Sequence, residues 1–175
     1  CDDLTPLPTS NITSPQAQAF SPNSAVVSPA NLNSPDQTVI SGAAAAVHRV
    51  ADLCKQAGAK RTVMLAVSAP FHCALMEPAQ KALATDLEAL VFNDPQFPIA
   101  CNVDARLITR RAEARDCLVR QVTGPVRWVE CIQLLVAQGV TRFIEVGPGK
   151  VLTGLMRQID RSQSTLNVED SASLE

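Results

Sequence analysis

From Ala25 onward the chain alternates between segments with the two-residue period of a strand and segments with the 3.6-residue period of a helix. That alternation demands α/β packing, because each half-apolar element must cover its apolar face with another element. Residues 25–28 and 37–41 read as strands, joined through the turn-forming run Asn31-Leu32-Asn33-Ser34-Pro35-Asp36. Val47, Val50, Ala51 and Cys54 fall at helical spacing within residues 43–57, and Gly58 stands where a C-terminal cap belongs. Residues 61–67 alternate as a further strand. Met76, Ala79, Leu83, Leu87 and Leu90 mark the apolar stripe of a second helix. Residues 98–101 read as a short strand and residues 112–122 as a helix. Pro125 suits the start of another helix, which runs to Gln138 and stops at Gly139. Residues 142–146 form a strand, Gly147-Pro148-Gly149 a tight turn whose glycines permit close packing, and residues 151–159 a last helix. Residues 1–24 are rich in Pro, Ser, Thr and Asn, carry neither period, and read as loop or disorder.

With 175 residues, 46% of them hydrophobic, the chain can bury a core. Only five Phe and one Trp are available, so Val, Leu, Ile and Ala must build it. A net charge of −2 leaves no nucleic-acid footprint. No apolar run approaches the roughly 20 residues needed to cross a bilayer, and no signal peptide is expected at the start. The six cysteines are scattered, without a C-x-x-C pair or a histidine cluster, which argues against a bound metal. They fit a reducing, cytoplasmic compartment in which cysteine serves as a small buried apolar residue.

The two histidines differ in setting. His48 lies within the first helix, opposite its apolar stripe, and reads as exposed. His72 follows Ser68-Ala69-Pro70-Phe71, between a strand and a helix. Open α/β sheets bind ligands at such junctions, and an imidazole there can serve as a general base. The competing reading is a loop histidine satisfied by backbone. Gly147-Pro148-Gly149-Lys150 suggests a phosphate loop, but Ile stands at 144 and Val at 151 where that motif needs Gly and Ser or Thr. No G-x-S-x-G occurs, so a serine-hydrolase reading lacks its nucleophile elbow within this sequence.

Five blocks stand in one order: residues 27–35 (Val-Ser-Pro-Ala-Asn-Leu-Asn-Ser-Pro), 57–61 (Ala-Gly-Ala-Lys-Arg), 68–76 (Ser-Ala-Pro-Phe-His-Cys-Ala-Leu-Met), Gln121 with 124–128 (Gly-Pro-Val-Arg-Trp), and 145–152 (Glu-Val-Gly-Pro-Gly-Lys-Val-Leu). Together they resemble the bacterial malonyl-CoA:acyl-carrier-protein transacylases of fatty-acid synthesis, in their C-terminal half. Acyltransferase domains of polyketide synthases are more distant relatives. The resemblance implies part of an α/β-hydrolase-like large subdomain and part of an inserted ferredoxin-like small subdomain. Residues 25–67 fall in the small subdomain, 68–160 in the large one, and 161–175 form a C-terminal tail. Residues 1–24 match poorly, so the small subdomain is expected to lack its first strand.

The resemblance implies ping-pong malonyl transfer from malonyl-CoA to the phosphopantetheine thiol of acyl carrier protein, with no cofactor. His72 is then the general base, and the backbone carbonyl of Gln121 orients its ring. Phe71 stands where a bulky ring would crowd an α-methyl group, or else packs in the core. Asn31, Asn33 and Gln37 are candidates for positioning the acyl chain or pantetheine, or serve the turn. Lys60 and Arg61 suit coenzyme A phosphates or an acidic carrier protein, or a solvated surface. The family's G-H-S-x-G-E nucleophile and its carboxylate-binding arginine fall in the half this sequence does not match, so the chain alone is expected to be inactive. The full enzyme is expected to be a monomer. The alternatives are a non-catalytic module that binds carrier protein or coenzyme A, or pairs with a separate serine-bearing chain, and a fragment of a polyketide-type acyltransferase.

Overall fold

The computed structural model describes residues 22–174, so the reading of residues 1–24 lies almost wholly outside the described residues. β1 (Val27–Ser34) and β2 (Gln37–Gly42) form an antiparallel hairpin, followed by α1 (Ala44–Gln56). α2 (Glu77–Glu88) precedes a second hairpin of β3 (Ile99–Cys101) and β4 (Arg106–Ile108). Then come α3 (Arg111–Gln121), α4 (Trp128–Ala137), β5 (Arg142–Val146), α5 (Val151–Ile159) and β6 (Ser164–Val168). β5 and β6 pair in parallel across α5, a βαβ unit.

The helical periods translate directly. In α1 the half-buried residues include Val47, Val50, Ala51 and Cys54, while His48 is exposed. Gly58 takes φ +97°, and its N–H reaches the Lys55 carbonyl while Ala59 reaches Cys54. Those two bonds are the Schellman closure that the glycine signals. In α2 the predicted stripe holds at Leu83 and Leu87, but Ala79 and Leu90 face outward.

The strands depart further from expectation. β1 does not end at residue 28 but continues through Asn31, Leu32 and Asn33, leaving a two-residue turn at 35–36. Register shifts at 29/31 and 32/34 absorb the irregular sequence. The other edge of β1 is also occupied. Val126 donates to the Ala30 carbonyl at 2.8 Å, and Leu32 donates to the Val126 carbonyl at 2.9 Å. Because Val126 is held in that bridge, α4 starts at Trp128 and not at Pro125. The tail assigned to residues 161–175 contains β6, which short-range pattern could not reveal because its partner lies upstream of α5. Gly147 and Gly149 do not serve close packing, since nothing lies within 4 Å of a Cβ built on either. They supply φ of +137° and +84°, the second a left-handed value that suits glycine.

Residues 61–67 are not a strand. They run outside any ladder, because no neighbouring strand offers backbone partners among the described residues. Val63, Met64, Leu65 and Val67 are exposed in consequence, as is Val146 of β5 at 79%. A run of exposed apolar side chains is surface that tends to be covered by another chain or to drive association. The isolated chain is therefore expected to self-associate as its concentration rises, as read by sedimentation velocity and by binding of an apolar dye. A monodisperse, dye-silent monomer would contradict this.

Candidate active site

His72 sits in a turn with its backbone in the left-handed region, at φ +62°. That conformation costs a non-glycine residue roughly 1–2 kcal/mol, so surrounding contacts must hold it. Cys73 is fully buried, and its thiol donates to the Pro70 carbonyl at 3.1 Å. Phe71 N–H closes onto Ala69 at 3.0 Å. A short 3-10 turn, Ala74–Met76, then leads into α2, with Pro78 in its first turn.

The imidazole Nδ1 lies 2.9 Å from the carbonyl oxygen of Gln121, the last residue of α3. A carbonyl only accepts, so Nδ1 carries the proton in this bond. Nε2 is left with its lone pair and has no hydrogen-bond partner among the described residues. The negative end of the α3 dipole faces the ring, which complements the positive charge it carries after taking a proton. The Gln121 side chain turns the other way and donates to the carbonyls of Gly124 (3.1 Å) and Pro125 (3.2 Å). The same turn continues into Val126 and hence into β1, so hairpin and imidazole meet across one loop.

Arg120, beside Gln121, is fixed by Asp104 in the β3–β4 turn through two bonds of 2.6 Å. The hydrogen bond from Arg120 holds the Asp104 carboxyl well below the usual carboxylate range, and Arg106 adds to this against the opposing effect of burial. The folded value thus lies below the ~3.9 of an unfolded chain. The stability Asp104 contributes is complete above that value and is lost as pH falls through the folded value. Asp104→Asn should therefore lower stability most at neutral pH, and the gap to the parent should close in acid below about pH 4. Denaturant titrations at a series of pH values check this, and a gap that widens in acid would refute it.

Cys101, Asp104 and Cys117 bring their ligand atoms within 4.8 Å of one another, a grouping that scattered spacing concealed. Burial pushes the Cys117 thiol up to about 12, and Asp104 is committed to two guanidinium groups. The donors are a neutral thiol and an occupied carboxylate, which fits packing against Ile108 better than holding a cation. Burial likewise raises Cys131, to about 11.

The remaining candidates are dispersed. Asn33 donates to the Gln37 side chain at 3.1 Å across the β1–β2 turn. Asn31 faces Val126 in the bridge described above. Phe71, half exposed, adjoins His72, while Lys60 and Arg61 are exposed in the segment after α1. The Asp104–Arg120 pair went unseen in the sequence because 16 residues separate its members and only the packing of α3 against the β3–β4 turn brings them together.

The family model of the acyl transferase domain matches residues 11–174. The chain belongs to the acyl transferase family. It is 51% identical over 148 residues to the malonyl CoA-acyl carrier protein transacylase of Haemophilus influenzae, covering 85% of this chain and 47% of that protein. The Escherichia coli K12 enzyme of the same name is 52% identical over 134 residues, 77% of this chain and 43% of that one. Among solved structures, an acyl carrier protein S-malonyltransferase from Vibrio cholerae superposes with a TM-score of 0.83 at 52% identity, covering 85% of this chain and 49% of that chain. A malonyl-transacylase in complex with its type II polyketide acyl-carrier protein also gives 0.83, at 50% identity, covering 86% and 48%. The fold is that of these acyltransferases, and the chain spans about half the length of the curated relatives it matches.

Proposed function

We propose that this acyltransferase chain provides the general base for malonyl transfer from malonyl-CoA to the phosphopantetheine thiol of an acyl carrier protein in the cytoplasm. The observation that carries the reading is the His72 ring, tied through Nδ1 to the Gln121 carbonyl with Nε2 unengaged. In the proposed cycle Nε2 takes the hydroxyl proton of a serine as its oxygen attacks the malonyl thioester. The C–S bond breaks, coenzyme A leaves as thiolate, and His72 returns the proton to it. The carrier thiol then gives its proton to His72 and attacks the malonyl ester, which regenerates the serine. No cofactor enters this exchange.

The sequence holds no G-x-S-x-G, so the serine of this cycle is supplied by polypeptide outside these 175 residues that pairs with them, and they form no malonyl ester by themselves. The exposed residues 63–67 and Val146 favour such pairing over a free-standing binding module. Phe71 limits bulk at the α-carbon, Asn31, Asn33 and Gln37 lie toward the pantetheine, and Lys60 and Arg61 meet coenzyme A phosphates or the acidic carrier. The test incubates the purified chain with malonyl-CoA, alone and with a polypeptide matching the half of the relatives that these residues do not cover, and reads covalent malonylation by intact mass. Malonyl ester on the partner's serine, and none on this chain, is expected. Ester on this chain alone refutes the reading, and so does a well-folded pair that never acylates.

A further inference from the structure

The last carbonyls of α3 each have a different partner. Arg120 accepts from the Gly124 N–H at 2.9 Å, and Gln121 accepts from His72 Nδ1 at 2.9 Å. Val119 accepts only a long bond of 3.4 Å from Val122 N–H, and its second partner is the Gln80 side chain at 3.0 Å. The same Gln80 amide nitrogen also donates to Thr123 Oγ1 at 3.0 Å. A helix end without such partners frays, and the direction of its carbonyls becomes variable.

Gln80 belongs to α2, the helix that begins five residues after His72. It falls four residues after Met76 and three before Leu83, on the inward stripe, where a polar side chain needs a partner. The residues it grips, 119 and 123, flank Gln121 on both sides. Two points of one short segment, His72 and Gln80, thus bond to the last turn of α3 and the residues that follow it. A single attachment would let the Gln121 carbonyl rotate relative to the ring, whereas two attachment points eight residues apart, with three bonds between them, restrict that freedom.

We propose that Gln80 is a positioning residue for His72: its amide fixes the α3 terminus so that the Gln121 carbonyl holds the imidazole as the Nδ1–H tautomer. The functional meaning rests on His72 being the general base, but the bonding does not. Deprotonation must leave the lone pair on Nε2, the nitrogen without a protein partner, and a ring free to exchange tautomers would present it only part of the time.

The test is nitrogen NMR of the imidazole in the full 175-residue chain, held below the concentration at which it self-associates, with 15N-labelled histidine and His48→Gln to remove the second signal. The parent should show one tautomer, Nδ1–H. Gln80→Glu keeps length and shape but removes the donor, and should produce averaged shifts from both tautomers. Gln80→Lys restores a donor and should return the ring toward Nδ1–H. Thr123→Val removes one acceptor only and should shift the ring in the same direction as Gln80→Glu, by less. If Gln80→Glu fails to fold, the Thr123→Val and Gln80→Lys spectra decide the matter. A parent already showing mixed tautomers overturns the His72–Gln121 reading itself. A pure Nδ1–H parent with unchanged spectra in the variants overturns the role of Gln80 and leaves the first reading intact.

Discussion

His72→Ala should lower malonyl transfer by about 10²–10⁴-fold in the protein assembled with its serine-bearing half, the usual contribution of a positioned general base. The loss should fall on kcat more than on KM, because the ring acts on the proton in flight and not on the bound substrate. His48→Ala, an exposed helix position, serves as the matched control and should leave the rate within experimental error. Coenzyme A release in steady state, together with a single-turnover count of the malonyl-enzyme, separates the two half-reactions, and both should slow. A transfer rate within a few-fold of the parent would remove His72 from the chemistry. Alanine at 72 also relieves little of the left-handed strain, so a gain in stability is not expected to mask the effect.

Gly124→Ala should destabilise the same assembled protein by about 1–3 kcal/mol, the cost of forcing atoms into a packed site. A Cβ at 124 would stand 2.6 Å from Val103 Cγ2 and 2.9 Å from the Arg120 carbonyl oxygen. The side-chain contact can yield, but the backbone contact cannot without moving the end of α3. That carbonyl already accepts the Gly124 N–H, and the next one along the helix accepts the His72 ring. The denaturant midpoint should fall with unchanged slope, and activity should fall with it. An unchanged midpoint would mean that the turn has slack which the distances deny.

The two substitutions mark different degrees of legibility. His72 stood out locally because it follows a Pro-Phe pair between an extended and a helical segment, and because its neighbours fall into ordered blocks. Gln121 came only through the family resemblance, and the geometry then showed its carbonyl 2.9 Å from the ring. Gly124 was visible as part of a block, but nothing local says that Val103 and Arg120 crowd it. Gln80 left one faint mark, a polar residue on an otherwise apolar helix stripe. Asp104 and Arg120 left none.

The same division runs through the fold. Period and punctuation sufficed for α1, α5 and β5, whose bounds follow from apolar spacing and from Gly58, Gly147 and Gly149. Those signals act over a few residues and can be read in order along the chain. Strand pairing acts over tens of residues. Residues 61–67 carry a strand's alternation yet pair with nothing described, while β6 lacks an obvious pattern and pairs fully with β5. Backbone donors and acceptors follow whichever edge tertiary packing presents, whatever the local side chains prefer. The sequence by itself therefore determined α1 with its Gly58 closure, α5, β5 and the position of the histidine, while the start of α4 was set by the bridge that Val126 makes to β1. Tertiary structure alone decided which carbonyl meets the ring, because that contact joins residues 72 and 121 and depends on the packing of two helices.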